Sequence, residues 1–537
     1  MARRYRNELD GIHNRSYENS LDAEEKAGVD TIDRLEDHSP EPKKKMMKDL
    51  PGLSAEDQEW LFDIDEKEQS RIFHKVDKRL VPMLASLYLI AQLDRANIGN
   101  AKIEGLEASL GMEGNDYNIA LMLFFVPYVL CEVPSNVLLS KFSRPSVYIG
   151  ILVVCWGTIM TCMGTTQSFA GLCVTRFLLG IFEAGFFPGA IWLTSQWYPP
   201  NKTQGRMAMF YLSSAASGAF SGLLAAGLAQ MDGVGGYEGW RWIFIIEGLA
   251  SILLGIACFW ALPDSPLTAS WLKPDEAKFL ELSHIALRGV KTNAKGSTEK
   301  KRFDWKVAKA VVTDWQLYLQ TMVYWSNVVP NYGLKFTMPT IITNMGFEST
   351  TAQLLSAPPY ICGAVAAVSS ALVADKLRWR APFILGFQCC LVVAFSVLFV
   401  FAPRIEDNIA LCYVMVCLAC IGLYPIVPGN ATWTINNLAG PEKRAMGIAF
   451  MTMMGNSGGF AGSFIFLERE SPRYPTGFGS SLGFACSGIC ACLLLEFLYF
   501  THNKRYKGMT EEEAIEKHGE QKLADMGDKS PLFVYGY

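Results

Sequence analysis

Half of the 537 residues are apolar and only 19% are charged, with 46 Gly, 32 Phe and a formal net charge of −4. A soluble chain of this length would carry about one quarter charged residues; here the charge is crowded into both ends and one central stretch, and the remainder is run after run of about 20 apolar residues, enough to cross a bilayer. That pattern excludes a secreted soluble enzyme and a disordered chain, and the near-neutral balance gives no sign of a nucleic-acid partner.

Residues 1–79 contain no apolar stretch of the signal-peptide kind and read as a cytosolic tail. Within them, Ser54-Ala55-Glu56-Asp57 predicts a helix start before the charged run to Lys78, an interfacial helix leading into the first span. Six spans follow at 80–98, 118–139, 146–165, 169–196, 207–230 and 241–262, forming an N-terminal bundle over 80–262. A linker over 263–315, rich in Lys, Gly, Ser and Thr, separates them from six more at 316–343, 352–374, 381–402, 409–436, 445–467 and 477–500. The second bundle covers 316–500, and 501–537 form a second cytosolic tail. The expected fold class is an all-α membrane protein of about twelve transmembrane helices in two six-helix bundles.

An even number of spans leaves both termini on one side. Lys141, Arg144, Lys202, Arg206, Lys376, Arg378, Arg380, Lys443 and Arg444 crowd the short loops of that side, so the positive-inside rule makes it cytosolic, most simply at the plasma membrane. All 14 Cys lie in the apolar segments. Cys417 and Cys420 have CxxC spacing but no second pair, and neither a metal nor another cofactor is expected.

The two halves repeat. Ser217-Gly218-Ala219-Phe220-Ser221-Gly222 matches Ser457-Gly458-Gly459-Phe460-Ala461-Gly462, an offset of 240 residues (Ser217 to Ser457), and the same offset carries Pro188-Gly189 onto Pro428-Gly429 and Phe210 onto Phe450. Copies of equal topology are related by an axis along the membrane normal, the arrangement of a two-bundle transporter. Gly218, Gly222, Gly458 and Gly462 clear a helix stripe for close packing, with a hinge during rocking as the functional alternative. No GxxxxGK[ST] phosphate loop or TVGYG-like filter is present, and all six His lie outside the spans. Energy must come from a coupled gradient or from the solute's own, and protonation, where it is used, falls to carboxylates.

Several segments resemble the fungal allantoate and vitamin permeases, the nicotinate-type family in the anion:cation symporter branch of the major facilitator superfamily. They are Leu93-Asp94-Arg95-Ala96-Asn97-Ile98-Gly99-Asn100-Ala101, Glu132-Val133-Pro134-Ser135-Asn136, the run from Arg176 to Gly189, Trp240-Arg241-Trp242-Ile243-Phe244-Ile245-Ile246-Glu247-Gly248 and Leu262-Pro263-Asp264. The resemblance covers roughly residues 75–502. It implies the major facilitator fold, with spans one, four, seven and ten around one cavity, and proton-coupled uptake of a small organic anion, a vitamin-like carboxylate or ureido acid. Its motifs do not single out one substrate. The competing readings are an exporter of a metabolite or toxin and a non-transporting nutrient receptor. The partners are then the substrate, protons and lipid, with the chain acting as a monomer. The charged loop of the superfamily departs from its pattern after span two, whereas Asp375, Lys376 and Arg378 keep it after span eight as a gating loop.

Charged residues in a membrane each need a partner, a cavity or a function. Asp94, Arg95, Glu132, Arg176, Glu183, Glu247, Lys335 and Glu496 qualify. At 1.5 Å per residue, Asp94 and Arg176 both lie about 10 Å below the outer edge, and, if they face one cavity, an Asp94–Arg176 pair is expected. Carried over by motif position, the resemblance assigns proton coupling to Asp94 and Glu183 and the substrate carboxylate to Arg95. Lys335 departs from the family and is the repeat mate of Arg95 at the 240-residue offset; it is a substrate-binding candidate beside Arg95 and Arg176, with an external-gate or snorkelling lysine as the alternative. Asn331, Tyr332, Tyr424, Asn430 and Trp433 are further candidates for the cavity wall. Glu132 and Glu247 are expected to be structural, and Glu496 to reach the cytosolic interface.

Overall fold

With no water to satisfy backbone amides in hydrocarbon, apolar runs of this length fold as helices, and a computed structural model of the chain is helical throughout its spans. It describes residues 55–536 apart from 140, 143, 199, 289–304, 378, 508, 520–522 and 524–525. Nine helices among the described residues are long and apolar enough to cross a membrane. Those over the predicted first, seventh and eleventh spans are more polar or broken, and together with the nine they complete two pseudo-symmetric six-helix bundles.

A short helix α1 (Ala55–Asp63) precedes α2 (Glu66–Ile103), which contains the first span but begins in the charged run before it. At 38 residues α2 is about 57 Å long, well beyond a ~30 Å hydrocarbon core. Its early turns are stabilised by a stripe of Ile72, Phe73, Val76 and Leu80, all buried. Spans two and three are α3 (Asp116–Leu139) and α4 (Pro145–Met163). Span four is split into α5 (Phe169–Glu183) and α6 (Phe186–Trp197), although Ala184 and Gly185 keep right-handed helical angles between them. α7 (Pro200–Ala229) and α8 (Gly239–Ala261) complete the first bundle.

The central linker contains α9 (Pro274–Arg288) and α10 (Trp305–Val312). α9 is held against the start of α2 by Lys75 Nζ donating to Glu276 at 2.7 Å and by the ring of Phe279 meeting Phe73 edge-on. Before α9, Trp271 stacks on Trp197 at 5.7 Å. The second bundle runs α11 (Trp315–Thr343), α12 (Ser349–Leu355) and α13 (Ala357–Leu377), α14 (Ala381–Phe401), α15 (Ile409–Asn436), α16 (Pro441–Asn456) and α17 (Gly458–Phe464), then α18 (Pro475–Arg505). The predicted eleventh span is therefore two helices meeting at Ser457. α19 (Glu511–His518), closed by a Thr510–Glu513 capping box, follows.

The last described residues return to the membrane-proximal end of the second bundle. Lys443 bridges Asp314 at 2.6 Å and Asp528 at 2.5 Å, Gln316 donates to Asp528 and to Tyr535, and Trp433 donates to the carbonyl of Gly536. Tyr535 stacks on Tyr499 at 4.5 Å. Instead of hanging free, this segment ties α11, α15, α16 and α18 together.

The two bundles meet most tightly at the end away from these tails. Tyr117 Oη donates to the Phe336 carbonyl, Asn118 to the carbonyls of Ser463 and Phe466, and Gln353 to Glu104; Lys102 pairs with Glu468. Gly99 permits the α2–α11 crossing, where a methyl group would lie 2.6 Å from the Phe336 oxygen. The repeat glycines divide their work. Added carbons at Gly218 and Gly222 would meet Tyr360 at 2.5 Å and the Gln353 carbonyl at 2.1 Å, across the bundle interface, whereas Gly458 and Gly462 pack on Val328, Val329 and Tyr332 of α11 within their own bundle.

Candidate functional site

Between the bundles lies a cavity of about 410 Å³, within the range of small-molecule sites. α2 supplies Tyr88, Gln92 and Arg95, spaced so that one helical stripe faces inward, and α11 supplies Asn331, Tyr332 and Lys335. Tyr424 of α15 completes the expected contributors. The cavity also includes Tyr128, Asn327 and Asn456, which the sequence reading missed. Tyr88 and Gln92 were missed as well, because only Arg95 in that row carries charge; counting back three and seven residues from Arg95 along the same helix face would have found both.

Arg95 Nε donates to Glu183 Oε1 at 2.5 Å, and Nη1 donates to Tyr332 Oη at 3.1 Å. The guanidinium also lies 4.4 Å from the ring centre of Tyr128 and 5.1 Å from that of Phe124, a setting that favours a delocalised planar cation. Thus one charged side chain touches helices α3 and α5 of its own bundle and α11 of the other.

Asp94 faces elsewhere. Consecutive helix residues point about 100° apart, and its Oδ2 accepts from Ser251 Oγ on α8 at 3.0 Å. The expected Asp94–Arg176 pair does not form: equal depth fixes height along a helix but not the direction around it. Arg176 is fully buried, with Nε and Nη2 lacking hydrogen-bond partners among the described residues. One turn after Asp94, Asn97 donates to Glu247, and Asn100 donates to Asn97 and Ser221. Glu247 therefore sits in a polar seam between α2, α7 and α8, outside the cavity wall. Glu132 accepts from Asn456 at 3.5 Å, and Glu496 accepts from Trp379 at 3.2 Å.

Lys335 Nζ donates to both the backbone carbonyl of Gln92, at 3.0 Å, and its side-chain Oε1, at 2.8 Å. Two of the proposed wall residues are misplaced by the sequence reading. Asn430 donates to the Gln320 carbonyl at 3.1 Å, and Trp433 is committed to Gly536; neither lines the cavity. Counting from Tyr424 at 100° per residue, Trp433 lies about 180° around α15 and is turned away, whereas Asn430, seven residues after the cavity-lining Leu423 and so close to its side of the helix, lies about two turns farther along α15, where its amide donates to the Gln320 carbonyl. The side chains of Asp375 and Lys376, and Arg378 altogether, lie outside the described residues. After span two, Arg144 instead pairs with Asp264 at 3.1 Å, so the loop without its own acid takes one from the start of the linker.

Residues 84–463 match the model of the Major Facilitator Superfamily. The chain is 36% identical over 478 residues to the MFS-type transporter cnsO of Penicillium expansum, covering 87% of this chain and 90% of that protein. It is 30% identical over 472 residues to the high-affinity nicotinic acid transporter of Saccharomyces cerevisiae, covering 87% and 85%. Among solved structures, a bacterial homologue of the human lysosomal transporter Spinster, inward-facing and unoccupied, superposes with a TM-score of 0.58 at 16% identity, covering 78% of this chain and 94% of that one.

Proposed function

Because the chain belongs to the major facilitator superfamily, and is thus a multi-pass membrane transporter rather than an enzyme, we propose that it takes up a small organic anion with protons by alternating access. The observation that carries this reading is the Arg95–Glu183 pair in contact with the cavity. While Glu183 is ionised, Arg95 is already neutralised. A proton on Glu183 leaves the guanidinium fork to a substrate carboxylate, which it can hold by two parallel hydrogen bonds. Proton and anion then load together, since each relieves the charge the other would leave buried. Asp94, bonded to Ser251 one residue along α2, is the second proton site.

Similarity to a nicotinic acid transporter and the permease motifs support a carboxylate cargo of the vitamin or ureido-acid kind. The basic loops support cytosolic termini, with 1–79, 263–315 and 501–537 on the cytosolic side of a plasma-membrane monomer. In that orientation the structure is closed toward the outside. The test is uptake of a panel of labelled carboxylates by cells expressing the chain at two external pH values, with Glu183→Gln alongside. Accumulation that rises with external acidity and is lost in Glu183→Gln supports the reading. Accumulation of neutral amides equal to that of their acids sinks it.

A further inference from the structure

The two cations of the cavity, Arg95 and Lys335, stand at the 240-residue offset that relates the halves. Their hydrogen bonds across the bundle interface obey the same relation. Arg95 donates to Tyr332 and Lys335 donates to Gln92, and Tyr332 is itself the counterpart of Gln92. One pseudo-twofold operation therefore exchanges both donors and both acceptors, which fixes the register of spans one and seven through their side chains.

The counter-ion does not follow the symmetry. Glu183 neutralises Arg95 at 2.5 Å, but the residue 240 positions after Glu183 is Leu423. The register there is anchored five residues on by Pro188-Gly189 and Pro428-Gly429. Leu423 is buried and lines the same cavity as Lys335. Among the described residues no carboxylate lies within ion-pair distance of Lys335, whose bonds are to the two neutral oxygens of Gln92. Around it α3 presents Tyr128, α15 Tyr424 and α16 Asn456, and the charged groups near this wall are Arg95, Glu183 and, behind Asn456, Glu132. Neutral acceptors orient an ammonium without cancelling its charge, and between low-dielectric walls that charge calls for an anion.

We propose that Lys335 is a second anion anchor whose counter-charge comes from the cargo, so that the cavity selects small molecules with two acidic groups. This rests on the organic-anion reading of the cavity. Arg95 accepts an acid group only when Glu183 holds a proton; Lys335 accepts one regardless. A monoacid engages one anchor at a time and is coupled to the proton when it takes Arg95, whereas a diacid engages both anchors at once and always brings the proton with it.

The test measures binding to the purified full chain in nanodiscs, at fixed pH without a gradient. Its probes are series of diacid, monoamide and diamide on common aliphatic and aromatic skeletons. The best diacid is expected to bind tighter than its monoamide by roughly tenfold or more. Lys335→Gln should erase that gap and Lys335→Arg should keep it. Leu423→Glu, which restores the missing counter-ion, should erase it at neutral pH and regain it on acidification, while Leu423→Gln keeps it at both. A gap that survives Lys335→Gln, no gap in the native chain, or equal losses in Leu423→Gln and Leu423→Glu at every pH would each overturn the second anchor. If diamides bind as tightly as acids, the organic-anion reading itself falls and takes the second anchor with it.

Discussion

Arg95 makes one ion pair and one neutral hydrogen bond, and substitution separates them. Arg95→Ala leaves Glu183 as an uncompensated buried carboxylate, a loss of about 3–5 kcal/mol of stability. Adding Glu183→Gln should return most of it, so a double-mutant cycle on the thermal midpoint of the detergent-solubilised chain is expected to show strong coupling. Glu183→Gln alone keeps a hydrogen-bond acceptor for Arg95 but cannot exchange a proton. In proteoliposomes it should therefore abolish uphill accumulation while sparing exchange of labelled for unlabelled substrate. Asp94→Asn retains an oxygen for Ser251, so it should fold normally and lose accumulation only through coupling. Full accumulation in both mutants would reassign the two carboxylates to packing.

Helix contacts carry the next scale. α7 approaches α12 so closely at Gly222 that an added methyl group would lie 2.1 Å from a backbone oxygen, whereas the space beside Gly227 on the same helix is open. Gly222→Ala should weaken the closed end of the bundles by about 1–3 kcal/mol and Gly227→Ala should not, read as increased labelling of a cysteine placed at Asn118. At the opposite end, the segment around Asp528 and Tyr535 docks through a cluster of two carboxylates and one lysine. Burial raises the Asp528 carboxyl above its ordinary range, with Lys443 opposing. Burial would lower the Lys443 ammonium, but Asp528 and Asp314 hold it above its usual value. Both groups thus bind protons more tightly when docked. Docking is strongest at low pH and is lost as pH rises, first through the shifted value of Asp528 and then through that of Lys443. Limited proteolysis of the C-terminal segment should accelerate from mildly acidic to alkaline pH, and Asp528→Asn should remove the lower step.

For the whole molecule, the decisive asymmetry is that interbundle hydrogen bonds gather at one end while the cavity lies on the other side of Arg95 and Lys335. Alternating access requires those bonds to break as the opposite end closes. In a background whose native cysteines are replaced, Lys102→Cys with Glu468→Cys, joined by a short bifunctional maleimide, should hold this end shut and stop net transport. A longer flexible linker should restore it. Transport unaffected by the short linker would show that the contacts between α2 and the turn joining α17 to α18 do not gate the pathway.

Much of this architecture was legible without coordinates. Hydrocarbon demands helices of a set length, which fixed the number and approximate limits of the spans, and a repeat at a constant offset fixed the relation between halves. Charge in apolar runs singled out Arg95, Glu183 and Lys335 as candidates, because a charge in hydrocarbon needs a partner, a cavity or a function. What remained hidden depended on azimuth and on long-range neighbours. Hydropathy measures position along a helix and is blind to rotation around it, so Asp94 and Arg176 were matched by depth although they do not pair, and Trp433 was assigned to a face it does not share with Tyr424. A helix through the charged run before span one was readable, but its docking on the linker helix α9 was not, nor was the return of the C-terminal segment, since both are stabilised by partners tens to hundreds of residues away. Only the packed bundles decided which cation meets a carboxylate and which meets Gln92. That difference follows from one pair of residues, Glu183 and Leu423, whose equivalence emerges when the repeat is combined with the geometry of the cavity.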